Sequence, residues 1–326
     1  MLSRIANSLY VMGRAVERVQ SVTRILEVNH KMHLEHLAGS NAAIWQAIAH
    51  SFLCPIEDYS EEELYRVLVC SDSHPYSVRR CLREARDEGR SMRDHISDEM
   101  WLHLNRSYLE YKDVDFQKVI EIGRSEFNRR IEVFCDALYG LADDTMIHGE
   151  AWAFFKMGKY MERALMLCRI LHVKRAAISP SLNGAPADVY HWQALLRSVS
   201  GYEPYRRAHD ARIVPERVLE FVLQNKQFPR SLAYALGEMR SCLPFLISKS
   251  PLERHLDQLL KDLLDRLRTI DISRAIHADF FGGEISYLNE VCLEIADMVE
   301  LAFFTSLRPA SMKLTSLPGA ALTSQQ

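Results

Sequence analysis

A seven-residue frame occurs twice in this chain and constrains its fold more than any other feature. Residues 12–18 read MGRAVER and residues 157–163 read MGKYMER, so the pattern Met-Gly-basic-x-x-Glu-Arg recurs 145 positions later. Two further pairs of segments match in the same order. WQA occurs at 45–47 and 192–194, and the segment at 75–86 shares its proline, serine, leucine, glutamate and arginine with the segment at 229–240.

Ordered matches of this kind are typical of an internal duplication. We therefore predict two tandem helical repeats of about 150 residues, the first over residues 1–147 and the second over residues 148–307. Residues 308–326 are small and mostly polar, which predicts a flexible C-terminal tail.

The residue pattern predicts an all-α fold for both repeats. Glycine and proline are sparse, with 13 and 11 residues, and they cluster at chain breaks such as 53–55 and 179–186. Ser60 followed by Glu63 indicates a capping box that opens a helix. Alternating runs of β-branched residues, typical of strands, do not occur. We expect two duplicated helical bundles packed into one elongated or compact helical domain.

Composition narrows the environment and the partners. Hydrophobic residues make up 48% and charged residues 25%, a profile typical of soluble globular proteins. The net charge of −3 gives no long-range attraction to nucleic acid or to membranes, and no apolar run is long enough for a membrane span. The seven cysteines are scattered and never spaced as CxxC, which predicts reduced thiols in the cytoplasm.

The repeated frame places a glycine and a glutamate on one side of a helix. At about 100° per residue, Gly13, Glu17 and Arg24 share one stripe, and Gly158, Glu162 and Arg169 repeat that stripe in the second copy. A helical side chain leans over the preceding turn, so each glutamate lies above a position without a Cβ. That position leaves room for the carboxylate or for a partner backbone.

Two hypotheses follow for these glutamates, and both stay open at this point. The structural hypothesis makes each one half of a buried ion pair that fixes helix register, with Gly13, Gly158, Arg24 and Arg169 as structural residues. The catalytic alternative makes Glu17 and Glu162 acid/base carboxylates. An exposed interaction face is a third interpretation. Two tryptophans in the other repeated segment complete the predicted structural set: Trp45 and Trp192.

Residues 78–97 carry the densest charge pattern. The arginines at 79, 83, 86, 90 and 93 are spaced 4, 3, 4, 3, which predicts one arginine ladder along one flank of a helix. Guanidinium groups suit carboxylates and phosphates, so Arg86, Arg90 and Arg93 are candidate ligand-binding or partner-binding residues. The alternative is an ordinary solvated helix, since acidic residues on the same helix could neutralise the ladder by i,i+4 pairing.

The chemistry that would identify a particular enzyme class is missing. Phosphate-binding glycine loops and nucleophile elbows do not occur. Glu27 and His30 give a single Glu-x-x-His, whereas a dimetal bundle needs that motif twice, so we predict no metal site and no cofactor. Aromatic residues do not interleave with the ladder, so we predict no nucleic-acid binding.

Four segments in order resemble the alpha-E domain family, a bacterial group of helical domains named for a Glu-Arg motif. They are MLSRIANSLYVMGRAVERV, SVRRCLREARDEGRSMRDHISDEMW, AWAFFKMGKYMER and FPRSLAYAL, and the resemblance covers residues 1 to 307. It marks twelve positions here: Arg4, Gly13, Arg14, Glu17, Arg18, Arg86, Arg93, Gly158, Glu162, Arg163, Pro229 and Arg230. Val11 and Ala15 depart from it, since aromatic residues are expected there.

The resemblance implies a genomic context more than a reaction. Such proteins tend to be encoded beside, or fused to, ATP-grasp-type amide ligases and transglutaminase-like proteins. We therefore expect an accessory component that binds such a partner or an anionic peptide. Its binding residues would be Arg4, Arg14, Arg18, Arg86, Arg90, Arg93, Arg163 and Arg230. An enzyme acting on amide or peptide substrates through Glu17 and Glu162 is the alternative, and an architectural oligomer subunit is a third hypothesis.

Overall fold

A computed structural model describes residues 1–34, 41–54, 59–178, 186–209, 212–246, 250–277 and 281–304, and the structural statements below concern those residues. Within them the chain is built of α-helices and contains no β-strand, which confirms the all-α prediction. The expected C-terminal tail lies outside the described residues. In the described part, no helix is at once long enough and apolar enough to cross a bilayer.

Seven helices come before residue 147: α1 Ser3–Leu34, α2 Asn41–Ser51, α3 Glu61–Leu68, α4 Val78–Ser91, α5 Asp98–Tyr111, α6 Phe116–Ile122 and α7 Arg124–Thr145. Eight follow it: α8 Glu150–Ile178, α9 Pro186–Ser198, α10 Tyr202–Ala208, α11 Pro215–Gln224, α12 Leu232–Cys242, α13 Pro251–Thr269, α14 Ile272–His277 and α15 Phe281–Phe303. Short 3-10 turns, Arg93–His95 and Leu243–Phe245, follow α4 and α12.

Several helices begin at a side-chain cap, which satisfies backbone N–H groups that the first turn leaves free. The predicted capping box is confirmed: Ser60 Oγ accepts from Glu63 N, and the Glu63 carboxylate accepts from Ser60 N. Ser77 caps α4 and Ser97 caps α5 through bonds to the N–H three residues on. Ser231 and Ser250 cap α12 and α13 in the same way.

The first helix, α1, and the first helix after residue 147, α8, run side by side through the centre of the molecule. Both are buried over most of their circumference, which is typical of helices surrounded by other helices. They point the same way, because the Met1 amino group contacts Glu150 at 2.8 Å while Glu17 contacts Arg163 further along. Helices α4 and α7 pack against α1, and α12 and α15 pack against α8.

The predicted arginine ladder is interrupted, which corrects one expectation. Helix α4 ends at Ser91, and Met92 turns the chain with φ −115° and ψ 23°. Arg93 therefore lies on the following 3-10 turn and not on the flank of α4. The physical reason is that Ser97, followed by two acidic residues, starts α5, and the chain must leave α4 before it can reverse into α5.

All seven cysteines are free thiols, as the sequence predicted. Trp45 and Trp192, the two tryptophans of the repeated WQA segment, are both buried in the core, at 4% and 2% exposure.

Candidate functional site

The two glycines of the repeated frame let α1 and α8 touch backbone to backbone. A Cβ built on Gly13 would lie closer than 3.0 Å to the carbonyl oxygen of Phe155, a distance that real Cβ atoms essentially never show. A Cβ built on Gly158 would overlap the carbonyl oxygen of Tyr10 in the same way. Each glycine thus faces the carbonyl three residues before the other glycine, so the two contacts are reciprocal.

Glu17 is fully buried and carries four hydrogen bonds, which we call the Glu17 cluster. Arg163 binds the carboxylate with two nitrogens, Nε to Oε1 at 3.0 Å and Nη2 to Oε2 at 2.7 Å. Arg230 Nη1 donates to Oε1 at 3.0 Å, and the Tyr139 hydroxyl donates to Oε2 at 2.9 Å. Burial alone would raise the pKa of Glu17, but Arg163 and Arg230 hold that pKa down at about 2.

Glu162 is 1% exposed and forms the corresponding Glu162 cluster. Arg14 Nε donates to Oε2 at 2.8 Å, and Arg18 Nε lies 2.9 Å from Oε1. Burial opposes the charge here too, while Arg18 and Arg14 lower the pKa of the carboxyl. Arg18 also lies 3.7 Å from Glu84 on α4, so this cluster has a second acidic group at its edge.

Each carboxylate is therefore bound by the arginine that follows the glutamate of the other frame, Arg163 for Glu17 and Arg18 for Glu162, together with a second arginine. Adjacent residues on one helix point about 100° apart, so Glu17 cannot pair with Arg18 within α1. The sequence pattern instead offered Arg24 and Arg169 as partners, and this expectation was wrong. Arg24 Nη2 lies 3.8 Å from Glu132, and Arg169 donates to the Ser51 carbonyl at 2.7 Å and to the Tyr76 hydroxyl at 2.5 Å.

Three residues in or next to the Glu17 cluster, Tyr139, Gln20 and Lys159, were not predicted from the sequence. Tyr139 lies on α7 and had no signal, since nothing in the sequence links it to α1. Gln20 accepts from Arg230 Nη2 at 2.5 Å and donates to Asp136 at 2.6 Å. Lys159 follows Gly158 as Arg14 follows Gly13, so the repeated frame could have identified it.

Lys159 contacts an aromatic ring, whereas Arg14, at the same position of the first frame, contacts a carboxylate. Its Nζ lies 3.8 Å from the centroid of the Tyr139 ring, a cation–π contact. Burial lowers the pKa of Lys159 to about 8, and the neighbouring Arg163 pushes it in the same direction.

Outside the helix pair, three arginines of the ladder form what we call the outer arginine surface: Arg86, Arg90 and Arg93. Arg86 lies over the rings of Trp101 and Tyr108, and its guanidinium carbon, Cζ, is 5.8 and 5.2 Å from their centroids. Arg93 lies over the same Trp101 ring at 5.4 Å. Arg90 is exposed on the same flank of α4. Two ladder residues, the first and the second, are bound instead by Asp72, which precedes α4.

The acidic partners of the ladder arginines in the described residues differ from the predicted i,i+4 pairs. Arg86 contacts Asp87, its neighbour in sequence, and Asn105 on α5, and Arg93 lies 3.6 Å from Asp98. Glu84 faces Arg18. Arg4, also proposed for binding, is exposed near the start of α1, away from the buried clusters.

The single Glu-x-x-His motif, formed by Glu27 and His30, is bound by other side chains of the protein. Glu27 accepts from Asn128 at 3.0 Å and pairs with Lys31 at 2.8 Å, while His30 contacts Glu61 at 2.5 Å. Over the ranges that the structure covers, no group of three or more His, Cys, Asp or Glu side chains is arranged to hold a metal ion.

The geometry decides what the two glutamates can do chemically. A general acid or base must reach the proton that it transfers and must change protonation state near the working pH. Glu17 is 0% exposed and Glu162 is 1% exposed, and both hold their charge through arginines. In this structure both carboxylates are enclosed at the contact between α1 and α8 and are bound by the arginines described above.

Comparison with known proteins identifies a family and several relatives with similar sequences. A family profile described as a predicted alpha-helical domain with a conserved ER motif matches residues 1–304. An uncharacterized protein of Mycobacterium bovis is 24% identical over 340 residues, and one of Mycobacterium tuberculosis is 23% identical over the same length. The match covers 94% of this chain and 38% of each relative. No solved structure matches the chain at a significant level.

Proposed function

The chain belongs to the Alpha-E family of helical domains, and on that premise we propose that it is a cytoplasmic accessory component of a system that forms or modifies amide bonds in peptides. It binds an ATP-grasp-type ligase, or failing that a transglutaminase-like protein or the anionic peptide product, through the outer arginine surface. Its own glutamates catalyse no reaction.

The observation that carries this proposal is the arrangement of Arg86 and Arg93 on one tryptophan. The ring beside each guanidinium limits its rotamers, and the N–H groups that do not already contact Asn105, Asp87 or Asp98 remain available to carboxylates of a partner. Tryptophan, tyrosine and arginine are also the residues that dominate binding energy at protein interfaces. Leu102 and Leu109, exposed by 64% and 54%, lie on the same helix as Trp101 and add apolar area.

Burial of the Glu-Arg clusters supports an accessory role over a catalytic one. The residues for which the family is described serve the contact between α1 and α8, so they explain a stable framework. Of the arginines proposed for binding, Arg14, Arg18, Arg163 and Arg230 are committed to these clusters. Partner binding therefore falls to the arginines outside them.

We also propose that the framework arose by internal duplication, with repeats at 1–147 and 148–307. Five correspondences between the two halves support it. The glycine contacts are reciprocal, the glutamates are bound crosswise, and serine caps open α4, α5, α12 and α13. Helices α4 and α7 on α1 correspond to α12 and α15 on α8, and a 3-10 turn follows α4 as it does α12.

This chain spans less than two fifths of the curated relatives that it matches, so in those relatives the matching segment lies within a longer polypeptide.

Co-purification with an ATP-grasp-type ligase that is encoded beside this protein tests the proposal. The Arg86→Ala, Arg93→Ala double variant should bind the ligase at least tenfold more weakly, a change of about 1.4 kcal/mol or more in binding free energy. The matched control is Arg129→Ala, Arg130→Ala, which removes the same charge from exposed positions on α7. Circular dichroism should show that both variants keep the wild-type fold.

Two results would overturn this proposal. One is a double variant that folds and binds the ligase as tightly as wild type. The other is wild-type protein that shows no affinity for the ligase, the transglutaminase-like protein or an anionic peptide.

A further inference from the structure

A cleft of about 400 Å³ lies beside the C-terminal half of α1, separate from the outer arginine surface. Its walls come from α1, α7, α9 and the start of α10. This volume is within the range of about 300–1,000 Å³ typical of small-molecule sites. Among the residues that line it are Arg24, Glu132, Arg197 and Gln193.

Arg24 is the unusual member of this lining. It is 6% exposed, and its Nη1 has no hydrogen-bond partner among the described residues. The approach to Glu132, 3.8 Å from Nη2, is longer than a hydrogen bond. Leaving a buried donor of a charged group unsatisfied is unfavourable, so an unpartnered Nη1 beside a cleft indicates an absent oxygen ligand.

The corresponding arginine in the second frame shows which atoms are missing. Arg169 holds the position of Arg24 after the Met-Gly pair and also lines a cleft, which is about 320 Å³ in volume. There the Ser51 carbonyl and the Tyr76 hydroxyl supply two oxygens to the guanidinium. Among the residues that the structure describes, no such pair of oxygens binds Arg24. In the first cleft, two oxygens from outside the protein would complete the same arrangement.

The charges around Arg24 specify the ligand further. The lining carries three cationic and three acidic side chains: Arg24, Lys31, Arg197, Glu27, Glu132 and Glu203. Lys31 and Glu27 neutralise each other at 2.8 Å. Glu132 stands next to Arg24, and burial raises its pKa, so its negative charge lacks full compensation. A purely anionic ligand on Arg24 would be repelled by Glu132, whereas an ammonium group would pair with it.

We infer that this cleft binds a small zwitterion of the amino-acid or short-peptide type, with its carboxylate on Arg24 and its ammonium group at Glu132. Arg24 offers two parallel N–H donors to one carboxylate, the geometry that arginine forms with such groups. The Tyr190 and Tyr202 side chains, at the rim of the cleft, provide apolar surface for the rest of the molecule. The inference does not depend on the proposed partner.

Isothermal titration calorimetry with L-alanyl-L-alanine tests the inference directly. Wild-type protein should bind the dipeptide, and both the C-terminal amide and the N-acetylated form should bind at least tenfold more weakly, because each lacks one of the two charges. Arg24→Gln should weaken dipeptide binding at least tenfold. Arg129→Gln, which removes an exposed arginine of α7 outside the cleft, should leave binding unchanged.

A second variant protects the test against a folding defect. If Arg24→Gln unfolds, Glu132→Gln takes its place. It should weaken binding of the zwitterionic dipeptide tenfold, whereas the purely anionic N-acetylated form should bind more tightly than it binds wild type, because its repulsion by Glu132 is removed. The inference fails if no probe binds at millimolar concentration, or if inorganic phosphate binds at least as tightly as the dipeptide. It also fails if a folded Arg24→Gln protein binds like wild type.

Discussion

Glu17 and Glu162 hold the same position in the repeated frame and meet different surroundings. Arg163 and Arg230 bind Glu17, while Arg14 and Arg18 bind Glu162. The arginine after each glutamate crosses to the other helix in both cases. The second cation differs: it comes from α1 in the Glu162 cluster and from the residue before the Ser231 cap of α12 in the Glu17 cluster.

The first half of the chain has an aromatic residue at the position where the second half has Arg230. Tyr76 precedes the Ser77 cap as Arg230 precedes Ser231. It accepts a hydrogen bond from Arg169, and the guanidinium of Arg18 lies 5.5 Å from its ring centroid. The comparison teaches that the helix pair supplies both arginines of the Glu162 cluster but only one arginine of the Glu17 cluster, whose second arginine comes from the loop before α12.

The largest expected difference between the clusters follows removal of the negative charge. Glu17→Gln leaves Arg163 and Arg230 buried without an anion, and breaking a buried ion pair typically costs about 3–5 kcal/mol. Glu162→Gln should cost less, because Arg18 can turn to Glu84, now 3.7 Å away. Urea unfolding at pH 7 measures both free energies of unfolding.

A double variant and a titration sharpen this test. Glu84→Gln alone should cost about 0–1 kcal/mol, but combined with Glu162→Gln it should bring the loss near that of Glu17→Gln. The folded-state pKa of Glu17 is about 2, below its ordinary value of 4.5, so its contribution is complete above pH 4.5 and is lost as the pH falls toward 2. Glu17→Gln should lack this acid-dependent component. Equal losses for the two single variants would contradict the comparison.

Substitution of the glycines should show where the two halves are alike. Gly13→Ala and Gly158→Ala each place a Cβ into a backbone carbonyl of the other helix, so each should destabilise the protein by about 1–3 kcal/mol or more, with similar values. Gly140→Ala on α7 is the matched control. Nothing lies within 4 Å of its added Cβ, so helix propensity should make that variant more stable by up to about 1 kcal/mol. Thermal unfolding measures all three, and unequal losses at Gly13 and Gly158 would break the reciprocity.

The smallest expected effect on stability comes from Lys159, which follows Gly158 as Arg14 follows Gly13. The folded-state pKa of Lys159, about 8, is below its ordinary value of 10.5, so between these values the unfolded chain holds a proton that the folded chain has released. Stability therefore rises with pH across this window. Lys159→Met should be more stable than wild type at pH 7, and the advantage should shrink at pH 9.5. Lys118→Met, at an exposed position on α6, should show no such pH-dependent difference.

The sequence predicted the local features better than the contacts between helices. Helical periodicity and the Ser60–Glu63 capping box depend on residues a few positions apart, and the structure agrees with both. The gap above each glycine was also foreseeable, since it follows from the absence of a Cβ. The occupant of the gap was not, because the carbonyls of Phe155 and Tyr10 come from the other helix.

The partners of the glutamates were missed for a related physical reason. Spacing on one helix suggested Arg24 and Arg169, but two helices in contact bring Arg18 and Arg163 across the interface. A Glu-Arg dipeptide within a helix cannot pair with itself, which already indicates a second helix. Tyr139 could not be found, and Arg230 was named as a binding residue but not as a partner of Glu17, because α7 and the loop before α12 approach Glu17 only through the packing of the whole chain.

The pairing of α1 with α8 has a consequence for synthesis on the ribosome. Arg163 follows Glu17 by 146 residues. At about 5–20 residues per second, the first helix waits roughly 7–30 s before its partner leaves the exit tunnel. During that interval the nascent chain presents an apolar helix that contains an uncompensated acidic group. Protection of this helix by a chaperone until α8 arrives would determine how much of each newly made chain reaches the native state.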